Sequence, residues 1–153
     1  MPAELGDLDA RLRVLEAKEE IRNLLQEYRR TLDVRDMRAF SALFASNGTW
    51  TGASGTAAGP EGIYEMLTAV LPENPPAPGS TLWHLITDPQ IEVDGNRATA
   101  RSLWMHVRRG DGDTPLLPTL GSYEDDLVVE NGRWRFLLRS VSRLVPDDPG
   151  EKG

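Results

Sequence analysis

The stretch STLWHLIT, residues 80–87, sets an imidazole, His84, inside an alternating run of apolar residues. A side chain that changes charge near neutral pH is costly to bury without a hydrogen-bond partner, so its position invites a search for proton chemistry. The chain holds one other histidine, His106, two residues after Trp104 in SLWMHV. On a strand these two side chains share a face, which makes His106 either a second acid or base or a residue at the rim of a sheet. Tyr28 is either plain core or a hydroxyl offered to a ligand. Arg139 shares a strand face with Leu137 and Val141, and is either a pocket cation that polarises a carbonyl or a surface charge. Tyr123 and Asp125 share a face too, although the run Glu124, Asp125 and Asp126 reads as a solvated edge. Trp50, Trp83 and Trp134 read as packing before they read as a cofactor box. The candidate substrate-binding set is therefore Tyr28, Trp50, Trp104, His106, Tyr123 and Arg139. No glycine-rich phosphate loop, metal-ligand cluster or serine triad is visible, and the absence of cysteine excludes a thiolate nucleophile or thiolate zinc site. Chemistry without cofactor or metal is what the sequence leaves.

Helices must position these groups from the first half of the chain and strands from the second. From Leu5 to Leu32, the residues Leu8, Leu12, Leu15, Ile21, Leu24, Leu25, Tyr28 and Leu32 recur at the spacing of an amphipathic helix. Asp36 is placed to N-cap a second, short helix running through Phe40 to about Phe44. NGTWTG reads as a short strand, GPEGIYEMLTAVL as a third helix with proline in its first turn, and ENPPAPGS as its stop. Beyond Ser80 the pattern becomes strands. STLWHLITDPQIEV and NRATARSLWMHV form a hairpin through Asp94 and Gly95, and LGSYEDDLVVE and RWRFLLRSVSRLV form another through Asn131 and Gly132. GDGDTPLLP reads as the loop between the hairpins. Along the strand after Asn96, Ala98, Ala100, Ser102, Trp104 and His106 share one face, while Leu103, Met105 and Val107 lie on the other. Helices followed by consecutive antiparallel strands predict an α+β domain over residues 1–146, with 147–153 as a frayed tail.

At 153 residues one domain is the expectation. A formal charge of −7 disfavours nucleic acid and anionic membrane surfaces as partners. The N-terminal MPAELGDLDARLRV lacks the apolar core of a signal peptide and no run approaches a membrane span, so a cytoplasmic protein is expected.

The order of elements and several strings resemble the SnoaL-like branch of the nuclear transport factor two superfamily. The resemblance is carried by EAKEEIRNLLQEYRRTLDVRDMRAFSALFASNGTW, GPEGI, WHLITDPQIEVDGNRATARS and YEDDLVVENGRWRF, and spans nearly the whole chain. It implies a cone-shaped α+β barrel, a curved antiparallel sheet wrapped around the N-terminal helices. The superfamily includes scytalone dehydratase, hexachlorocyclohexane dehydrochlorinase, ketosteroid isomerase and polyketide cyclases, together with members that catalyse nothing. In the dehydratase and the dehydrochlorinase, an aspartate at the end of the first helix and a histidine on the first long strand belong to the active site. Asp33 and His84 fall at those positions, so the resemblance implies a catalytic dyad. Electrostatics agrees. A carboxylate in the last turn of a helix meets the negative end of the macrodipole, a loss on the order of several tenths of a kcal/mol unless a positive group is near. An imidazole anchored at one nitrogen presents the other as a general base. Where the dehydratase has a substrate-orienting tyrosine this chain has Gly52, and where the dehydrochlorinase has a lysine it has Tyr28; the resemblance names no substrate.

The expectation is a cofactor-independent lyase of dehydratase type, or an isomerase or cyclase, acting on a small, mostly apolar ring compound. The alternatives are a non-catalytic small-molecule binding protein and a structural, oxygenase β-like subunit. Homo-oligomers, dimers or trimers, are expected through the outer face of the sheet at Leu103, Met105, Val107 and Leu137.

Overall fold

A long helix, α1 (Pro2–Asp33), opens the chain in a computed structural model that describes residues 2–71 and 82–146. The linker ENPPAPGS and the tail 147–153 lie outside the described residues. Only part of the apolar stripe on α1 is core. Ile21, Leu24, Leu25, Tyr28 and Leu32 are buried, whereas Leu8, Leu12 and Leu15 are exposed, because the step of six residues from Leu15 to Ile21 turns them to another side of the helix, and Gly6, Ala10, Arg13 and Ala17 stand beside Val93 and Trp134 instead. The helix ends in a Schellman turn: the Asp36 N–H donates to the Thr31 carbonyl at 2.9 Å and the Arg35 N–H to that of Leu32 at 3.2 Å. Arg35 takes the left-handed conformation this turn requires, with φ of 62°. Asp36 then caps α2 (Met37–Ser41), its carboxylate accepting from the Ala39 N–H at 3.1 Å. The second helix is shorter than its apolar residues suggested, since Phe44 already belongs to β1 (Phe44–Gly52). After β2 (Gly55–Ala58) comes α3 (Gly59–Thr68), with proline in its first turn.

The second half of the molecule is strand: β3 (Leu82–Ile86), β4 (Gln90–Asp94), β5 (Arg97–Arg109), β6 (Pro115–Glu130) and β7 (Arg133–Val145). The run expected as one strand is broken into β3 and β4, both paired with β5. Thr87 binds Leu103 through its own N–H and its hydroxyl, and Pro89 has no N–H with which to continue the ladder. The expected loop GDGDTPLLP is shorter than the string, for β6 begins at Pro115 after a turn of 3-10 helix, Asp111–Asp113. The curved sheet has the order β2-β1-β7-β6-β5-β3 and is mixed: all pairings are antiparallel except β1 with β7, which run parallel. That pairing closes the sheet's far side over the helices and sets Trp50 beside Arg139.

The alternation on β5 fixes inside and outside. Ala98, Ala100, Ser102 and Trp104 are buried on the concave face; Leu103 is exposed on the convex one, where Trp83 and Leu85 of β3 stand opposite Val107 and Met105. Trp83 is thus an outer residue and not packing, a correction that follows from its place one residue out of phase with His84. The charge run on β6 is solvated only at Glu124 and Asp126. Asp125 faces inward, directly across from Arg139 of β7, and accepts two hydrogen bonds from its guanidinium at 2.9 and 3.1 Å, with both side chains inaccessible.

Removing one partner of such a pair leaves an uncompensated buried charge. Asp125→Ala should therefore cost about 3–5 kcal/mol of stability in urea unfolding. Truncating the neighbouring Glu124 or Asp126, both of which are exposed, should leave the midpoint nearly unchanged.

Candidate active site

The Schellman turn stops α1 where Asp33 faces β3. Its carboxylate accepts the His84 backbone N–H at 3.2 and 3.3 Å and lies 2.6 Å from His84 Nδ1. Arg29, one helical turn earlier, donates to the same carboxylate at 3.2 Å. Positive and hydrogen-bonding groups thus offset the unfavourable end of the helix dipole, and they hold Asp33 as an acceptor.

His84 pairs in register with His106 across β3 and β5, and the two Nε2 atoms approach to 2.7 Å with the rings nearly perpendicular. The tautomers follow from donor counting. When Asp33 is ionised it accepts only, which puts a proton on His84 Nδ1; when His84 is neutral it accepts at Nε2, and the shared proton is then on His106 Nε2. His106 Nδ1 is left with a lone pair. The expectation that His84 itself offers its second nitrogen to a ligand is corrected here, because the cross-strand register places His106 on that atom. Burial pushes the His106 ring down to about 4 from 6.5; the neighbouring His84 adds to the fall and Asp33 opposes it.

Both histidines line a cavity of about 310 Å³ between the helices and the concave face of the sheet. Tyr28, Trp50, Trp104 and Tyr123 line it as well, as do Leu32, Leu67 and Leu82. Trp50 Nε1 donates to the Tyr28 hydroxyl at 3.0 Å, which occupies a lone pair of that oxygen and leaves its proton to be donated onward. Burial, opposed by Arg139 and Trp50, raises the Tyr28 pKa, so the phenol stays protonated. Gly52 has no room for a side chain, since a Cβ there would come within 2.5 Å of the Trp50 indole. Trp104 is seated by a comparable device: it lies over Gly121 of β6, donates from Nε1 to the Ser122 carbonyl at 3.2 Å, and packs against His106.

Arg139 does not line the cavity, and its assignment as a substrate ligand is corrected. Its Cζ lies 4.0 Å from the Tyr28 ring centroid and 3.7 Å from that of Tyr123, so the aromatic rings separate the guanidinium from the cavity. Burial pushes the Asp125 carboxyl up to about 6 against the pull of Arg139, a value at which it is still ionised at neutral pH. Asp125 shares the face of Tyr123 in the sequence but reads there as solvated; three contributors were not singled out from the sequence: Arg29 and the cavity-lining Arg35 and Arg143. Arg29 had a signal, its spacing of four from Asp33 on a helix. The others had none. Among the described residues no group of His, Asp or Glu is arranged to hold a metal ion, and no helix is long and apolar enough to cross a membrane.

The model of the SnoaL-like domain family matches residues 13–140. A comparison with curated proteins finds no match. Among solved structures, a nuclear transport factor two-like protein with a cystatin-like fold from Novosphingobium aromaticivorans is 26% identical, with a TM-score of 0.78 over 94% of this chain and 92% of its own. A scytalone dehydratase-like protein of the same organism is 20% identical, with a TM-score of 0.67 over 90% of this chain and 89% of its own. LinA is 22% identical, with a TM-score of 0.69 over 90% of each chain. The last two likenesses concern the fold.

A histidine held neutral has a specific pH signature. The unfolded chain binds this proton at about 6.5 and the folded one at about 4, so the contribution of His106 to stability is complete above 6.5 and is lost as pH falls towards 4. The ring resonances of His106, followed by NMR, should titrate near the lower value; a midpoint near 6.5 would contradict the burial described.

Proposed function

We propose, for a chain that belongs to the SnoaL-like domain family, a cofactor-independent general-base enzyme that removes a proton from carbon beside a carbonyl on a small ring compound. Elimination of water is the first reading; isomerisation or cyclisation would start from the same step. One observation carries the proposal: an unbroken hydrogen-bonded chain, Asp33 to His84 to His106, that ends on the wall of a mainly apolar cavity.

The chain makes a weak base effective. His106 alone resists a positive charge, since burial and its neighbour oppose it. If its Nδ1 takes a proton from substrate while its Nε2 proton passes to His84 Nε2, the charge comes to rest on His84, against the Asp33 carboxylate. The C–H electron pair forms the new double bond, and the hydroxyl on the next carbon departs as water after recovering the proton from the histidines. Tyr28 is placed to donate its hydroxyl proton to the carbonyl oxygen, where negative charge develops. Its hydrogen bond from Trp50 fixes the direction of that donation.

The test uses ring ketones with a hydroxyl one carbon beyond the acidic position, in deuterated water, and reads both elimination and deuterium uptake. Replacing His84 by Ala should lower the rate by about 100-fold to 10,000-fold. His106→Ala should lose a comparable amount, and Asp33→Asn should lower turnover with the fold intact. A wild-type rate in the His84 variant would sink the mechanism. Binding without turnover across the panel would favour a binding protein, and activity only on adding a partner would favour an oxygenase-like subunit.

A further inference from the structure

We infer that the ligand of this cavity carries a carboxylate, for which Arg35 is the counter-charge. The inference rests on the cavity being the ligand site and not on the histidine relay. The chain has 24 acidic residues against 17 basic ones, yet among the described residues its cavity is lined by two arginines and no Asp or Glu. The nearby acid, Asp33, lies behind His84 and is engaged by that residue and by Arg29. A neutral ligand would cover the Arg35 guanidinium without replacing its water, whereas a carboxylate would supply paired acceptors that match the planar fork.

Arg35 provides an independent reason. It occupies the left-handed position of the Schellman turn, where glycine is the unstrained choice and a side chain is not. Among the described residues no ion pair or hydrogen bond engages its guanidinium, so nothing within the fold offsets the strain of placing a long cation there. Strain of this kind points to a use outside folding. Arg143 reaches the same cavity from β7, two residues beyond Val141 and four beyond Arg139 on the concave face. The remainder of the lining is largely apolar, with Trp50, Trp104 and four leucines, and suits the ring of a cyclic acid.

The experiment compares 2-naphthoate with 2-naphthamide, of nearly the same shape and without charge, by isothermal titration calorimetry. Wild-type protein should prefer the carboxylate. Arg35→Gly should weaken naphthoate by about 10-fold to 100-fold, leave naphthamide unchanged, and unfold at a temperature no lower than the wild type, because glycine relieves the turn. Equal affinity for the two probes, no naphthoate binding at millimolar concentration, or an Arg35→Gly variant that retains the preference would overturn the inference. The His84→Ala variant separates it from the relay. That variant should keep the preference for naphthoate, so loss of the relay reading leaves the anion site standing, and loss of the preference in wild type leaves the relay standing.

Discussion

The carboxylate of Asp33 ties the helical half of the molecule to the sheet. It sits where a helix ends in unfavourable potential, and it accepts from the backbone and lies against the ring of one β3 residue, His84, while Arg29 supports it from the preceding turn. The same contacts that offset the helix dipole orient an imidazole. Structural and chemical demands on this residue are therefore not separable: the turn that ends α1 puts Asp33 against β3 and carries Arg35 into the cavity.

A second charge lies under the cavity floor. Arg139 is wholly buried, pairs with Asp125 across β6 and β7, and presents its faces to the Tyr28 and Tyr123 rings. Its Nη1 has no hydrogen-bond acceptor, so the aromatic rings supply the remaining stabilisation of the cation. Replacing such a pair with hydrocarbon is often neutral for stability. Its evident consequence here is geometric, because it fixes the two tyrosines whose outer surfaces form the wall against which a ligand would rest.

The cavity thus has two electrical characters. On one side a pair of histidines backs onto the Asp33 carboxylate; on another, guanidinium groups line an otherwise apolar space. A proton-abstracting site gains from this division, since the base must avoid charge at rest while the ligand must be held in one orientation.

Local pattern determined a great deal. The helical spacing in α1, the cap at Asp36, the turns at Asp94–Gly95 and Asn131–Gly132 and the alternation on β5 are written in neighbouring residues, because each depends on a periodicity or a backbone preference that needs no partner. The approach of Asp33 to His84 was legible only through resemblance to a family. Tertiary structure alone decided what depends on register and on which strand lies alongside which. It placed β1 parallel to β7, set His106 on the atom of His84 that would otherwise face a ligand, and paired Asp125 with Arg139 in a run that reads as solvated. It also left Leu8, Leu12 and Leu15 uncovered on a side of α1 that the sheet does not meet. An alternating pattern tells which side chains share a face; it does not say what stands across from them, and for a charged or titratable group the neighbour across the strand is what sets its burial, its protonation and its use.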